Sequence, residues 1–322
     1  MRRTVLILLG LVLGGVMIAG AVLVAGWTWP GPAREDTAFT LQSGATLKGA
    51  AVELERAGLV SSADRFYLRA RLLGSTSAIK AGEYLVPGGA SEKEILAILV
   101  GGVGINRFIT IPEGMPSILV YERLMAADQL TGTVEVPAEG SILPDTYAYD
   151  KGDSRAEVLA RMQGAMARAL DEAWASRSAH TVVKSKAEAV TLASIVEKET
   201  SVPAERRMVA GVYSNRLRVG MRLQADPTII YPLTKGKPLG RRIKRSEILA
   251  VNGYNTYSMA GLPKGPIANP SKASIEAVLN PEKTKALYFV ADGSGGHVFA
   301  DTLEQHNANV AKWFAIRKER GI

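Results

Sequence analysis

LASIVEKETSVPAERR, residues 192–207, decides how the larger part of this chain is read. An apolar run ends on two glutamates, and Val202-Pro203 follows. The run begins at SKAEAVTLASIVEKET, where Ser185 and Glu188 have the spacing of a capping box, so a helix is expected from about 185. Pro203 interrupts it and suits the first turn of a second helix, AERRMVAGVYSNRLRV, which Gly220 can terminate. On a helix each residue advances by about 100°, so the faces follow from the period. Leu192, Val196 and Glu199 stand at i, i+4 and i+7, beside Ala189 and Ile195, which puts Glu199 in the apolar stripe. Glu197 points roughly 140° away from Leu192 and reads as an ordinary solvated residue. A carboxylate on an apolar face is costly when charged, and its pKa rises unless a cation compensates. A raised pKa is what a general acid near neutral pH requires. Two readings of Glu199 are open at this point: catalysis, or a structural ion pair with Arg216. Arg216 shares a face of the second helix with Val209, Val212 and Tyr213.

Upstream, SRAEVLARMQGAMARALDEAWASR reads as a long helix, AEGSILPDTYAYDKG as an irregular loop, MPSILVYERLMAADQL as a helix, and RFITIPEGM as strand and turn. Before these, a strand, helix, helix, strand order forms a small module over residues 39–102. Its pieces are FTLQSGATLKGAAVELERAGLV, SSADRFYLRARLLG, KAGEYLVPGG and SEKEILAILVGG, the last with Ser91 and Glu94 in capping-box spacing. WPGPARED (29–36) looks like part of a short stalk over 28–38, because proline and glycine break helix and the charges keep it in water. Residues 221–310 are rich in glycine and proline turns around short strands such as ALYFVADG and HVFA. This mixture predicts α+β architecture, with residues 103–322 as the larger domain.

The N-terminus predicts the compartment. Behind a tip of residues 1–4, the uncharged run VLILLGLVLGGVMIAGAVLVAG (Val5 to Gly26) is long enough to cross roughly 30 Å of hydrocarbon, so residues 5–27 are expected to be a retained transmembrane helix. Arg2 and Arg3 favour a cytoplasmic N-terminus, and Trp27 and Trp29 suit the far interface. The rest of the chain is then periplasmic, on a cell inner membrane. A net charge of +8 favours an anionic partner, and this placement counts against nucleic acid. The absence of cysteine removes disulfides, thiol nucleophiles and cysteine-ligated zinc. His180, His297 and His306 form no H-E-x-x-H pair, so neither a metal nor another cofactor is expected.

NRLRVGMRLQADPTIIY (215–231) gathers Asn215, Arg216, Gln224, Asp226 and Tyr231 around turns, and NGYNTYSMAGLPKGPIANP (252–270) adds Tyr254, Asn255, Thr256 and Tyr257. Amides, hydroxyls and flat rings suit a sugar polymer, although turn chemistry and core packing also use such residues. With LASIVEKET before these segments and YFVADGSGGHVFADTLEQHN after them, behind one N-terminal anchor, the chain resembles the endolytic murein transglycosylases of the MltG (YceG-like) family. The resemblance implies a lyase that cuts peptidoglycan glycan strands between N-acetylmuramic acid and N-acetylglucosamine without water, leaving 1,6-anhydro ends and limiting strand length. It implies that Glu199 is the catalytic acid and then base. It gives Asn215, Gln224, Asp226, Tyr254, Asn255, Thr256 and Tyr257 as residues that build the site; Arg216 and Tyr231, from the same segments, are counted with them as substrate-binding candidates, as is His297, whose other reading is a turn-stabilising residue. It also implies a LysM-like identity for the small module, and peptidoglycan synthases as partners.

Two rival readings are carried. Ser77-Ala78-Ile79-Lys80 matches the S-x-x-K of penicillin-binding acyl-transferases, but no K-T-G strand or suitably placed S-D-N accompanies it. The other is a membrane-anchored glycan-binding scaffold in which Glu199 is structural. An open groove at Glu199, against a packed Glu199–Arg216 pair, separates catalysis from the scaffold. The exposed basic run GRRIKR (240–245) reads as solvated surface.

Overall fold

The computed structural model describes residues 2–42, 44–74, 78–102, 104–105 and 107–321, with side chains from Leu9 onward. Ser77 of the S-x-x-K match lies outside the described residues. The chain has a mixed α+β architecture with a long apolar N-terminal helix, and it divides into two units, Met1–Arg107 and Phe108–Ile322.

The first unit opens with α1 (Arg2–Thr28) and continues β1 (Thr37–Leu41), α2 (Leu47–Arg56), α3 (Ala63–Leu73), β2 (Gly82–Val86) and α4 (Glu92–Gly101). β1 and β2 pair antiparallel, with Phe39 opposite Tyr84. Ser91 and Glu94 form the full capping box that their spacing predicts. Apolar faces of the strands and helices meet in one core that includes Phe39, Leu54, Phe66, Tyr84 and Leu99.

Two expectations change here. Trp27 is not an exposed ring: it is 5% exposed and packs on Phe66 at 6.4 Å between ring centroids, whereas Trp29 is exposed. Residues 28–38 are not a free stalk either. Gly31 N–H donates to the Gly89 carbonyl (3.1 Å), Gly89 N–H to Ala33 (2.6 Å), and Gly88 N–H to Asp36 Oδ1 (3.0 Å). Composition reported the proline and glycine correctly, but the backbone groups they expose are taken up by the β2–α4 turn. Where α1 ends, the Arg69 guanidinium donates to the Gly26 carbonyl (3.2 Å) and to Glu92 (2.9 Å), a cation at a helix C-terminus. A side chain at position 26 would strike that guanidinium.

The second unit takes up β3 (Arg107–Thr110) from its second residue and continues with α5 (Ser117–Met125), β4 (Thr146–Tyr149), α6 (Arg155–Ala175), α7 (Lys186–Glu199), α8 (Arg206–Arg218), α9 (Pro227–Thr234), α10 (Arg245–Leu249), α11 (Lys272–Leu279), β5 (Tyr288–Ala291), β6 (His297–Ala300) and α12 (Leu303–Arg320). β3 pairs with β4, and β5 with β6. The region expected as turns and strands therefore carries four helices as well. Pro227, read as a turn signal, stands in the first turn of α9, where its missing N–H costs nothing. Ser271 caps α11, and Thr302 with Gln305 forms a capping box on α12.

α11 packs on α6, α7 and α8, so α7 is covered all round, with every residue from Ala189 to Val196 buried. Asn269, itself fully buried, ties three segments together: its Oδ1 accepts from Ile142 N–H (3.0 Å) and its Nδ2 donates to the Met115 carbonyl (2.9 Å) and Ser117 Oγ (3.1 Å). Gly140 must be glycine, because it adopts φ +77° and any Cβ would stand 2.7 Å from Pro266 and Val190.

Arg155, the first residue of α6, is 9% exposed and donates to the carbonyls of Leu124 (2.9 Å), Met125 (3.2 Å), Ala127 (2.9 Å) and Gly132 (2.7 Å), closing the C-terminus of α5. Truncation would leave buried carbonyls unpaired. Arg155→Met is expected to destabilise the second unit by about 3 kcal/mol, a fall of roughly 6–12 °C in its melting temperature by calorimetry.

Candidate active site

α7 delivers the two glutamates of the VEKET segment to different environments. Its N-terminus is capped as predicted by the Ser185 hydroxyl, which accepts from Glu188 N–H (3.2 Å), while the Glu188 carboxylate reaches past Ser185 to Lys184 N–H (2.6 Å). At the other end Glu197 is not solvated. Its side chain is 4% exposed, and Oε2 accepts from Ser271 N–H (2.8 Å) and Oγ (2.5 Å) while Oε1 lies 3.5 Å from Arg206 Nη2. The reason is α11, which covers the flank that a two-faced helix would show to water. Glu197 anchors the N-terminus of α11, a favourable place for a carboxylate.

Glu199 is the last residue of α7, before the extended Thr200. Its Oε1 is enclosed and finds no hydrogen-bond partner among the described residues. Burial pushes its carboxyl up to about 7; the Tyr213 hydroxyl pulls the other way, the Asp226 charge raises it further, and Arg216 lowers it least. Tyr213 is close enough to hydrogen-bond the carboxylate and so favours its charged form. Burial also holds the Tyr213 phenol well above its ordinary range, so it remains a neutral donor.

The Glu199–Arg216 ion pair is not made. Arg216 is 8% exposed and turns to backbone, donating from Nε to Leu287 (2.7 Å) and from Nη1 to Leu223 (2.6 Å), with its guanidinium over the Tyr288 ring at 5.6 Å. Two carbonyls and a ring therefore consume the cation that could have neutralised Glu199. The result is a carboxyl near half-protonation at neutral pH.

The remaining residues singled out in the sequence fall into three groups. Asp226 and Tyr257 stand with Glu199: the Tyr257 hydroxyl donates to Asp226 Oδ1 (2.6 Å), and burial followed by this bond pushes the phenol up. Gln224, exposed beside them, is held at φ +51° with its N–H on the Thr256 carbonyl (3.2 Å). Asn255 and Thr256 are fully buried and shape the loop. Asn255 Nδ2 donates to the carbonyls of Glu247 (3.2 Å), Ile248 (2.9 Å) and Ala250 (2.6 Å), and Thr256 Oγ1 accepts from Ala225 N–H (3.0 Å). Asn215 likewise spends its amide on the Thr284 (2.9 Å) and Ala286 (3.0 Å) carbonyls. Tyr231 and Tyr254 form a separate tilted pair at 4.8 Å, with Lys264 Nζ 5.0 Å over Tyr254.

His297 contacts Glu205, not Glu199. Its Nδ1 is 2.7 Å from Glu205 Oε2, its N–H donates to Oε1 (2.7 Å), and Thr200 Oγ1 donates to Oε2 (3.0 Å). Burial alone would raise the Glu205 carboxyl, but the bonds from His297 and Thr200 outweigh it and hold Glu205 below the usual range. The His297 ring meets Phe289 edge-on at 5.3 Å, and Phe289 meets Tyr213 edge-on at 5.8 Å, so a packed row leads to the tyrosine beside Glu199.

Sequence reasoning missed Glu205 and Glu139. Burial raises the Glu139 carboxyl, which accepts from Ser117 N–H (2.9 Å) and interacts with the Tyr231 hydroxyl. Neither glutamate sits in a periodic apolar stripe, so no local pattern marks them. Among the described residues no group of three or more histidine, aspartate or glutamate side chains is placed to hold a metal.

The elevated Glu199 pKa has a consequence for stability. A folded pKa above the unfolded one leaves stability intact below about pH 4 and removes it as pH rises through about 7. Glu199→Gln is therefore expected to be more stable than wild type at pH 8.5 by up to about 3 kcal/mol, the gain vanishing near pH 4. Denaturant titrations of both proteins across that range check it.

The YceG-like family model matches residues 39–312. A Bacillus subtilis (strain 168) protein named endolytic murein transglycosylase is 27% identical, over 96% of this chain and 93% of its own length. A Streptococcus pneumoniae (strain D39) protein of the same name is 35% identical over 54% of this chain and 32% of its own. Among solved structures, a yceG-like protein of Listeria monocytogenes superimposes with a TM-score of 0.52 at 26% identity, covering 85% of this chain and 98% of that one. A match that takes in most of both units, and every segment that surrounds Glu199, means that this chain belongs to the YceG-like family.

Proposed function

We propose that this chain is an endolytic murein transglycosylase, a lyase that cleaves peptidoglycan glycan strands between N-acetylmuramic acid and N-acetylglucosamine and leaves 1,6-anhydro ends. The observation that carries the reading is the Glu199 carboxyl, on a partly exposed residue, with Oε1 enclosed and unpartnered among the described residues, without an ion-pair partner and raised to about 7. Protonated, it donates to the glycosidic oxygen as positive charge develops at C1 of the muramic acid. The carboxylate so formed takes the proton of the C6 hydroxyl, whose oxygen bonds to C1 and closes the anhydro ring. One group near pKa 7 serves both half-steps, because it is neither too weak an acid for the first nor too weak a base for the second.

A hydrolase would need a second carboxylate as base or nucleophile. Asp226 is the candidate, but in this reading it acts through charge, keeping Glu199 protonated, while Tyr257 holds it in place. Arg216 keeps Leu223 and Leu287 in register, and Gln224, two residues before Asp226, offers an exposed amide. Asn215, Asn255 and Thr256 contribute by fixing the backbone segments they bond, Tyr231 and Tyr254 by a ring surface for the sugar, and His297 through Glu205.

The proposal extends to the whole chain. Residues 1–4 are cytoplasmic, α1 crosses the inner membrane as its anchor, and the remainder is periplasmic. The uncharged stretch from Leu9 to Thr28 supports the anchor. The strand, helix, helix, strand order of residues 39–102 supports a LysM-like module that holds glycan, ahead of a catalytic domain over 103–322. The products limit strand length, and peptidoglycan synthases are the partners that supply new strands.

Mass spectrometry of muropeptides released by the full chain in detergent tests the reaction. Wild type is expected to give products one water lighter than hydrolytic ends, and Glu199→Gln to lose about 10²–10⁴ in rate. Full-mass reducing ends mean hydrolysis and return the base role to Asp226; no cleavage by wild type favours a glycan-binding scaffold. The rate is expected to fall as pH rises through about 7, and Asp226→Asn, by removing the charge that raises Glu199, to move that fall to lower pH. Initial rates of anhydro-end formation from pH 5 to 9 decide this.

A further inference from the structure

From the packing of α1 against α3 we infer that α3 is a membrane-docking helix, its Leu68 and Leu72 seated among the acyl chains of the leaflet that α1 leaves and its arginines at the phosphates. The inference rests on the reading of α1 as a membrane span.

α3 has two faces. Ala63, Phe66 and Ala70 enter the core of the first unit. On the outer side Leu68 is 51% and Leu72 63% exposed, one turn apart, with Arg65 a turn before them and Arg71 beside them. Leu68 and Leu72 lie on one exposed face flanked by Arg65 and Arg71, with the exposed Asp64 in the first turn of the helix, one turn before Leu68; leucines flanked by arginines are the composition of a helix that lies in a lipid interface. What covers them is indicated by α1. A crevice is lined by Ala19, Val22 and Leu23 of α1 and by Arg65, Leu68 and Arg69 of α3. These α1 residues stand three to seven positions before Gly26, roughly 5–10 Å back along the helix into its apolar run.

That run needs nearly all of its length to span about 30 Å of hydrocarbon. Ala19 to Leu23 therefore lie below the membrane surface, and Leu68, in the same crevice, lies with them. Two contacts prevent the module from lifting away: Trp27 is built into its core against Phe66, and Arg69 holds the Gly26 carbonyl. With no free hinge between α1 and the module, inserting α1 immerses the outer face of α3. Arg65 can extend its head to the headgroup phosphates while its stem stays in the apolar layer, and Arg71, whose guanidinium donates to the Tyr67 hydroxyl (3.2 Å), would exchange that bond for a phosphate. The Leu68–Leu72 face is thus continuous with the lipid-facing surface of α1.

The chain contains no cysteine, so single-cysteine variants report without background. Leu68→Cys and Leu72→Cys, with Val16→Cys in α1 and the exposed Val52→Cys on α2 as controls, are labelled with bimane in the full chain and reconstituted into phosphatidylcholine vesicles, with and without phosphatidylglycerol. Emission from positions 68, 72 and 16 is expected to fall with nitroxide-labelled lipid and to resist iodide, and position 52 to behave in the opposite way. Loss of the lipid effect at 68 and 72 with position 16 still quenched overturns the docking and leaves the anchor intact. Loss at position 16 as well overturns both. Protection of 68 and 72 from both quenchers points to a second protein on α3 and also overturns the lipid assignment. A stronger effect with phosphatidylglycerol identifies the arginines as headgroup contacts; equal effects assign the docking to the leucines.

Discussion

The second unit depends on the burial of α7 on every side. A helix with one apolar stripe leaves its remaining surface to water, and polar residues there cost nothing. α7 has no such surface over Ala189 to Val196, because α8, α9 and α11 close around it. A carboxylate that turns inward at its C-terminus must therefore be paired, capped or neutralised, whereas Lys198 between the two glutamates is exposed. Glu197 takes the first course and Glu199 the last.

The chemistry of the site follows from how few partners are left over. Arg206 and Ser271 satisfy Glu197, and the carbonyls of Leu223 and Leu287 occupy Arg216. Glu199 retains a tyrosine hydroxyl that favours its charge and an aspartate that repels it, with one oxygen left unpartnered among the described residues. A partly buried acid with one enclosed, unpaired oxygen is unfavourable for folding and useful for proton transfer. The row from Glu205 through His297 and Phe289 to Tyr213 supports this arrangement from behind. Proton transfer needs that rigidity, since a mobile Tyr213 would change the environment of the acid.

The first unit applies a related economy. Trp27, Arg69 and the backbone of residues 31–36 bind the end of α1 to the small module, so a segment with the composition of a stalk becomes part of a packed structure. Proline and glycine describe what a segment cannot do by itself, which is to form a helix or strand. They do not determine whether a neighbouring turn accepts its hydrogen bonds.

The sequence by itself determined what short-range geometry encodes. Ser185, Ser91 and their partners three residues on mark helix starts, because a side chain can reach a backbone N–H only at that spacing. The uncharged run of α1 and the place of Glu199 in the apolar stripe are equally local, and so were legible. The tertiary structure decided everything that depends on which distant residue arrives at a given face. Ser271 meets Glu197 across 74 positions and Leu287 takes Arg216 across 71, so neither the burial of Glu197 nor the loss of the Glu199–Arg216 pair leaves a trace in any window of sequence. Asn255 and Thr256 read as groove residues because amides and hydroxyls suit sugars, yet the same groups equally satisfy buried carbonyls and N–H groups. Only packing distinguishes those uses, since hydrogen bonding is short-ranged and the chain distances it joins are not.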